Sequence, residues 1–366
     1  MCVSLSKQSA IKFVGFKGQN GLLDFIGSKY FDLLRHMITA ANQQGMNVFE
    51  ISPVFDLEHS KTIIEPTGQE KGYWAGACGA AYDPETKTYY LSYRVREPRP
   101  VRGGICRIAE SKDGENFKTI WSATKESLNS DSIEKSSLIK GPEGLWWMYI
   151  SYVDPIDKRW KIDLMKAAHP SEFQINERKE VLKAAQTGTE GVKDPFAFFL
   201  NGKMHLLVSY ATGLHSANES QKEAMHATGD IYNTGLTKSC SGLAVSDDGE
   251  NFEWLGNIFA PSDNGWDKYA SRINSFIYRA PFFLGFYDGS SKVEENYEER
   301  TGLAVSLDLL HWKRLTPSGP HIESPHLTGS IRYIYPIDLG SEVVIYYEYT
   351  RADGAHEIRM NRIHQI

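Results

Sequence analysis

The chain has 366 residues, 41% of them apolar and 12% aromatic, which is ample material for a core and, at this length, suits one all-β domain or two smaller ones. A formal net charge of −6 offers no electrostatic footprint for nucleic acid, and no apolar run approaches the length of a membrane-spanning helix. Cys2, Cys78, Cys106 and Cys240 are too scattered for a metal cluster or a disulfide framework, and the start, MCVSLSKQSAIKFVGF, lacks the features of a secretory signal, so a reducing cytoplasm is expected.

Residues 1–72 read as an N-terminal extension. A helix is expected from Ser28, which caps it, to Gly45, which ends it, with Phe31, Leu34, Ile38 and Ala41 on one face. Val48–Phe55 is the candidate outer strand that closes a ring. Residues 73–366 carry strand patterns and turns. The repeating unit is clearest in Gly191–Ala211, GVKDPFAFFLNGKMHLLVSYA, where a Lys-Asp-Pro start leads to an apolar run, an Asn201-Gly202 turn and a second run. It recurs as Ser132–Val153, with Glu134 where Asp194 stands, and as Ala270–Asp288, with Arg272 in that place. Weaker copies are Ala75–Tyr93 and Gly329–Tyr349. The five anchors, near residues 77, 134, 194, 272 and 330, lie about sixty residues apart except for one gap widened by an insertion. All-strand repeats of that size predict an all-β fold, a five-bladed β-propeller.

A second repeat follows three of the hairpins: ICRIAESKDGENFKTI from Ile105, GLAVSDDGENFEWL from Gly242 and GLAVSLDLLHWKRL from Gly302. Each ends a strand in Ser-x-Asp, so Asp113, Asp248 and Asp308 are read as turn-forming, with Phe117, Phe252 and Trp312 anchoring the next strand between blades. Between them, Arg94–Gly104 reads RVREPRPVRGG, a guanidinium-rich loop suited to carboxylate, phosphate or sugar hydroxyls. The insertion Thr212–Ser239 contains His215 and His226 at a spacing that fits no compact metal pair, and reads as a loop or lid. The charged connection Lys292–Arg300 is expected to be solvated.

In a propeller the first strand of each blade lines the central channel. Glu134, Lys193, Asp194 and Arg272 are therefore expected to converge, with Arg94, Asp154 and Asp288 on the rim. Carboxyl groups facing one another with arginines to tune them are what glycosidic bond cleavage requires, without metal or other cofactor. The bland alternative is a set of structural ion pairs between blades.

From Ala75 to Ile363 the chain resembles the five-bladed propeller glycosidases, the arabinanase, invertase and β-mannoside phosphorylase families, and looks most like the last. YYLSYRVRE followed by GICRIAESKDGENF is similar to that family's first blade, IEKSSLIKGPEGLWWMYISYVD to its second, VKDPFAFFLNGKMHLL to its third and FFLGFYDGSS to its fourth. The resemblance implies a glycoside substrate, inversion at the anomeric carbon, Asp154 as proton donor, Arg94 and Lys193 as grips on anion or sugar, and Asp194 as a substrate-binding carboxylate. This chain departs from the family in three places. Glu134-Lys135-Ser136-Ser137 stands for Glu-Asp-Pro-Arg, Tyr287-Asp288-Gly289 for Tyr-His-Gly, and Ala77 for the first-blade Asp of arabinanases and invertases. A carboxylate at 288 would repel phosphate, which favours hydrolysis over phosphorolysis.

The expected function is thus cleavage of a small glycoside, with Asp154 or Glu134 as general acid, and Asp194 and Asp288 orienting substrate or water. Arg94, Lys193, Arg272 and Tyr333 are expected to bind substrate, and Trp74 to stack on a sugar face. The alternatives are a phosphorylase and a carbohydrate-binding propeller without catalysis.

Overall fold

Runs of Val, Ile, Tyr and Trp broken by Gly, Asn and Asp turns form antiparallel meanders, because β-branched and aromatic side chains pack well on a pleated surface. The computed structural model describes residues 56–213 and 217–364, so the expected helix at 28–45, the expected strand at 48–55 and His215 lie outside the described residues. Pairing groups the strands into five meanders of four. The first holds β2 (Trp74–Asp83), β3 (Thr88–Glu97), β4 (Arg102–Ser111) and β5 (Lys118–Thr124). The second holds β6 (Ile133–Lys140), β7 (Trp146–Val153), β8 (Trp160–Ala167) and β9 (Lys179–Lys183). The third holds β10 (Gly191–Leu200), β11 (Lys203–Gly213), β12 (Thr237–Ser246) and β13 (Glu253–Phe259). The fourth holds β14 (Ala270–Arg279), β15 (Phe282–Ser290), β16 (Arg300–Ser306) and β17 (Trp312–Arg314). The last joins β18 (Ile331–Asp338), β19 (Glu342–Thr350) and β20 (His356–His364) to β1 (Lys61–Ile64), which pairs antiparallel with β20.

The inner strands adjoin in the cyclic order β2, β6, β10, β14, β18 and back to β2, which makes the meanders the blades of a propeller. A strand that precedes the first blade thus completes the last one, and it is residues 61–64 that pair with β20. The Asn201-Gly202 turn is a two-residue hairpin between Leu200 and Lys203, with φ of 52° and 78°, the left-handed pair that matches strand twist.

The Ser-x-Asp turns are structural, as read. Asp113 accepts from the backbone amides of Glu115 (2.9 Å) and Asn116 (2.8 Å), and Asp248 and Asp308 make the same pattern. The aromatics behind them pack across blades: Phe117 lies edge-on to Tyr346 of β19, and Phe252 edge-on to Tyr149 of β7. Those two tyrosines in turn donate to the carbonyls of Gly114 and Gly249, both at 2.8 Å. Apolar clusters between blades, such as Tyr90, Ile108 and Trp121 against Leu138, Met148 and Ile150, hold the ring together.

Candidate active site

Every inner strand is broken by a register shift at the same level: between Gly76 and Gly79, Ile133 and Ser136, Lys193 and Phe196, Ile273 and Ser275, and Arg332 and Tyr335. The sequence anchors near 77, 134 and 194 fall on these shifts, and those near 272 and 330 lie just ahead of theirs. A bulge inserts unpaired residues and re-aims their side chains. In three blades the re-aimed residue is left-handed: Ala77 (φ 54°), Asp194 (φ 55°) and Tyr333 (φ 54°). Such a conformation is costly for a side-chain-bearing residue, and it collects at functional sites. In the other two blades the bulge delivers Glu134 with Lys135, and Asn274. The second strands add Arg94 opposite Gly76, Asp288 opposite Arg272 and Glu348 opposite Arg332.

These groups form one buried ionic ring. Arg94 pairs with Glu134 and, at 3.2 Å, with Glu348. Arg332 joins Glu348 to Glu299, at 2.7 Å to each, and Arg272 meets Glu299 at 2.8 Å. Lys193 lies 3.2 Å from Asp194 and 3.6 Å from Glu134. His356 sits between Glu348 (2.7 Å) and Glu298 (3.2 Å). All of the ring groups named so far except Glu298 are 2% exposed or less. Glu348 also accepts from the Ala77 amide at 2.9 Å, and its carboxylate fills the space that a Cβ on residue 76 would need, so only glycine fits there.

Burial at this depth separates the acids. Asp288 accepts from the Tyr333 amide at 3.2 Å. Burial, reinforced by the Glu299 charge, pushes its carboxyl up to about 8. Burial also acts on Glu299, but Arg272 and Arg332 outweigh it and hold that carboxyl at about 2. Lys135 and Lys193 are both brought down to about 8 by burial, against the pull of Asp194. The Lys135 ammonium donates to the Asn274 carbonyl at 2.7 Å. Burial thus favours the protonated carboxyl of Asp288, which weakens the repulsion of phosphate expected from a charge at 288.

Three segments roof the ring. Asp230, in the insertion after β11, receives the Tyr297 hydroxyl and pairs with Arg99 and, at 3.4 Å, with Arg102. Asn296 donates to Asn233 at 2.7 Å and accepts from Arg272. The insertion contains a capped helix, Glu219–Ala227, whose His226 meets Glu190 at 2.8 Å.

Of the expected site residues, Glu134, Lys193, Asp194, Arg272, Arg94, Asp288 and Tyr333 do come together. Asp154 goes elsewhere. It follows β7 at the rim, where its carboxylate accepts from the Ile156 amide at 2.7 Å and pairs with Lys161 at 3.3 Å. Burial raises this acid, but the Ile156 amide and Lys161 outweigh it, so the net shift is downward, the opposite of what a proton donor needs. Trp74 is buried, with His356 stacked on it at 4.6 Å and the Arg96 and Arg332 guanidiniums 4.9 and 5.2 Å from its centroid, which leaves no face for a sugar. The connection read as solvated is also different: Asn296, Tyr297, Glu298 and Glu299 are buried.

The sequence reading missed Glu299, Glu348, His356 and Lys135. Glu348 left a usable signal, a lone acid inside the apolar run VVIYYEYT, which a buried strand tolerates only with a partner. Glu299 left none, because KVEENYEER looks like any surface loop.

No protein-family model matches the chain, and no curated protein matches it in sequence. Solved structures do match in fold. A glycosyl hydrolase from Bacteroides ovatus, 13% identical, superposes with a TM-score of 0.56 over 85% of this chain and 90% of its own. A β-1,2-mannobiose phosphorylase from Listeria innocua, 15% identical, gives 0.53 over 83% and 94%. A Bacillus subtilis levansucrase, 12% identical, gives 0.56 over 91% and 92%. At these identities the likeness is one of fold alone.

Proposed function

We propose that this chain is a glycosidase that cleaves a small glycoside at the centre of the ring, with Asp288 as proton donor. The observation that carries the reading is the separation of two neighbouring acids, Asp288 at about 8 and Glu299 at about 2. Glycosidic cleavage needs one carboxyl kept protonated to serve the leaving oxygen, among others kept charged to stabilise the cationic transition state. Asp194, whose carboxylate oxygens have no hydrogen-bond partner and whose one ionic contact is Lys193 among the described residues, is the group that orients water or sugar. Lys193, Arg272 and Arg94 hold the surrounding hydroxyls and charges. Inversion, which the family resemblance implies, is the expected stereochemical outcome, read from the first-formed anomer by NMR.

The test is turnover of a panel of aryl glycosides and disaccharides, with and without phosphate, by the full chain and by Asp288→Asn. Turnover lost in the variant supports the reading. No turnover by a folded wild-type protein, or undiminished turnover by the variant, sinks it.

A second reading, a carbohydrate-binding propeller without catalysis, is favoured by one feature. Ala77 and Asn274 occupy two of the five bulges, so neither the first nor the fourth supplies an acid. Glycan binding unchanged in Asp288→Asn, with no product, would select it.

A further inference from the structure

Arg96 faces Trp74 across the pairing of β2 and β3 and is 5% exposed. Its guanidinium is layered between aromatic rings, 4.9 Å from the Trp74 centroid and 4.2 Å from that of Tyr297. It makes no ion pair and no side-chain hydrogen bond among the described residues, and its Nη1 is buried without an acceptor. The other buried cations around it are compensated. Arg94 has Glu134 and Glu348, Arg332 and Arg272 share Glu299, His356 has Glu298, and Arg102 has Asp230. The carboxylate that acts on Arg96 from a distance, Asp230, is already engaged by Arg99, Arg102 and Tyr297.

Two more donors close to it lack acceptors. Trp74 Nε1 and Arg102 Nε are both buried and unpartnered, and Arg102 faces Glu97, next to Arg96, across β3 and β4. A cluster of N–H donors with no acceptor is expensive to bury unless something supplies one. One uncompensated guanidinium asks for a single negative charge, and its fork fits a planar carboxylate with two parallel hydrogen bonds.

We infer that Arg96, with Arg102 Nε and Trp74 Nε1, is a specificity element that binds the carboxylate of an acidic sugar, so that the substrate of the ring carries a uronic acid unit. This rests on the glycoside reading and deepens it. Admission requires the roof over Arg96, held by Asp230 and Tyr297, to lift.

Calorimetry on the full chain with D-galacturonate, D-glucuronate, D-galactose, D-glucose and inorganic phosphate tests it. At least one acid sugar is expected to bind about tenfold or more tightly than its neutral counterpart, the effect of one charge-assisted pair of hydrogen bonds. Arg96→Gln is expected to erase that difference, and Arg96→Lys, which keeps the charge without the fork, to retain part of it; melting curves establish that each variant is folded. Equal affinity for acid and neutral sugars overturns the inference and leaves the glycosidase reading standing, as does a preference for the acid that survives in folded Arg96→Gln. If Arg96→Gln does not fold, the wild-type comparison and Arg96→Lys decide. Binding of phosphate alone, or of none of the probes, overturns both.

Discussion

On one side of the bulges the five inner strands and their neighbours present Arg94, Glu134, Lys193, Arg272 and Arg332; on the other, the same strands run into Ala80, Leu138, Phe196, Phe198, Tyr335 and Ile337, which line an open cavity of about 720 Å³. There the contacts are between rings. Phe196 packs edge-on against Phe276 and Tyr335, both at 5.2 Å, and Phe198 against Phe276 at 4.9 Å. The polarity of the channel switches within a single strand. A regular strand alternates faces with a period of two, and the extra residues of the bulge break that register, so one half of the strand can carry charge to the axis and the other half rings. Lys135 sits at the boundary, with its ammonium bonded to the Asn274 carbonyl and 5.4 Å from the centroid of Tyr335. The charged end is held by pairing, and is sensitive to the loss of any one partner, whereas the aromatic end is held by shape and area.

The sharpest break in that contrast is Asp288→Asn. Removing a general acid lowers kcat by about 10²–10⁴-fold. The alkaline limb of the pH–rate profile, set near 8 by the buried carboxyl, should vanish with it. Stability carries the same signature with a defined sign. The carboxyl is raised from 3.8 in the unfolded chain to about 8 in the folded one, so its contribution is complete below about pH 4 and is lost as pH rises through 8. Urea midpoints measured from pH 4 to 8 should fall in the wild type and flatten in the variant. An equally steep fall in Asp288→Asn would show that the carboxyl is hydrated and normal.

Next in size is Glu348→Ala, which leaves Arg94, Arg332 and His356 short of a carboxylate at a position buried from solvent. Breaking a buried pair from one side costs about 3–5 kcal/mol. Urea denaturation measures it, and a loss under about 1 kcal/mol, the scale of an exposed pair, would mean that the ring is wet.

These two residues also mark what the sequence made legible. Asp288 was within reach because it closes a hairpin that repeats, and the repeat marked the part of each inner strand near its bulge, on it for the anchors near 77, 134 and 194 and just ahead of it for those near 272 and 330. The period of the strands and the residue types at the turns are local signals, and they carry the fold. The roles inside the ring were not local. Asp154 directly follows its strand much as Asp288 lies near the end of its own, yet Lys161 of β8 captures it at the rim. Glu299 reaches the centre only because a turn at Val293–Glu295 folds the acidic connection inward against Arg272 and Arg332. Which acid is protonated depends on burial and on charges contributed by other blades, and no window of sequence contains both.

The aromatic end should respond to volume rather than to charge. Phe196→Leu keeps an apolar side chain in the wall but gives up volume and two edge-on ring contacts, so a cost of about 1–3 kcal/mol is expected. The measured effect should be independent of pH between 4 and 8, unlike that of Asp288→Asn, and kcat should be unchanged. A large loss of activity would mean that the two ends communicate through β10, where Phe196 directly follows the Asp194 bulge.

Smallest is the effect of Asp113→Ala in the turn between β4 and β5. Its carboxylate takes the Glu115 and Asn116 amides and the Asn116 side chain, and those hydrogen bonds pull it well below the usual carboxylate range. The turn is exposed, so water substitutes for most of what is lost, and about 1 kcal/mol is the expected cost by urea denaturation. The loss should be felt across the blade boundary. The Gly114 carbonyl of this turn is the acceptor for Tyr346 of the last blade, and Arg362 of β20 donates to the Asp113 carbonyl at 2.6 Å. The first and last blades meet at this turn, on the seam where β1 completes the ring. If Asp113→Ala proves much more costly than the matching Asp248→Ala, the seam is the weaker of the two boundaries; equal costs would make these two boundaries equivalent.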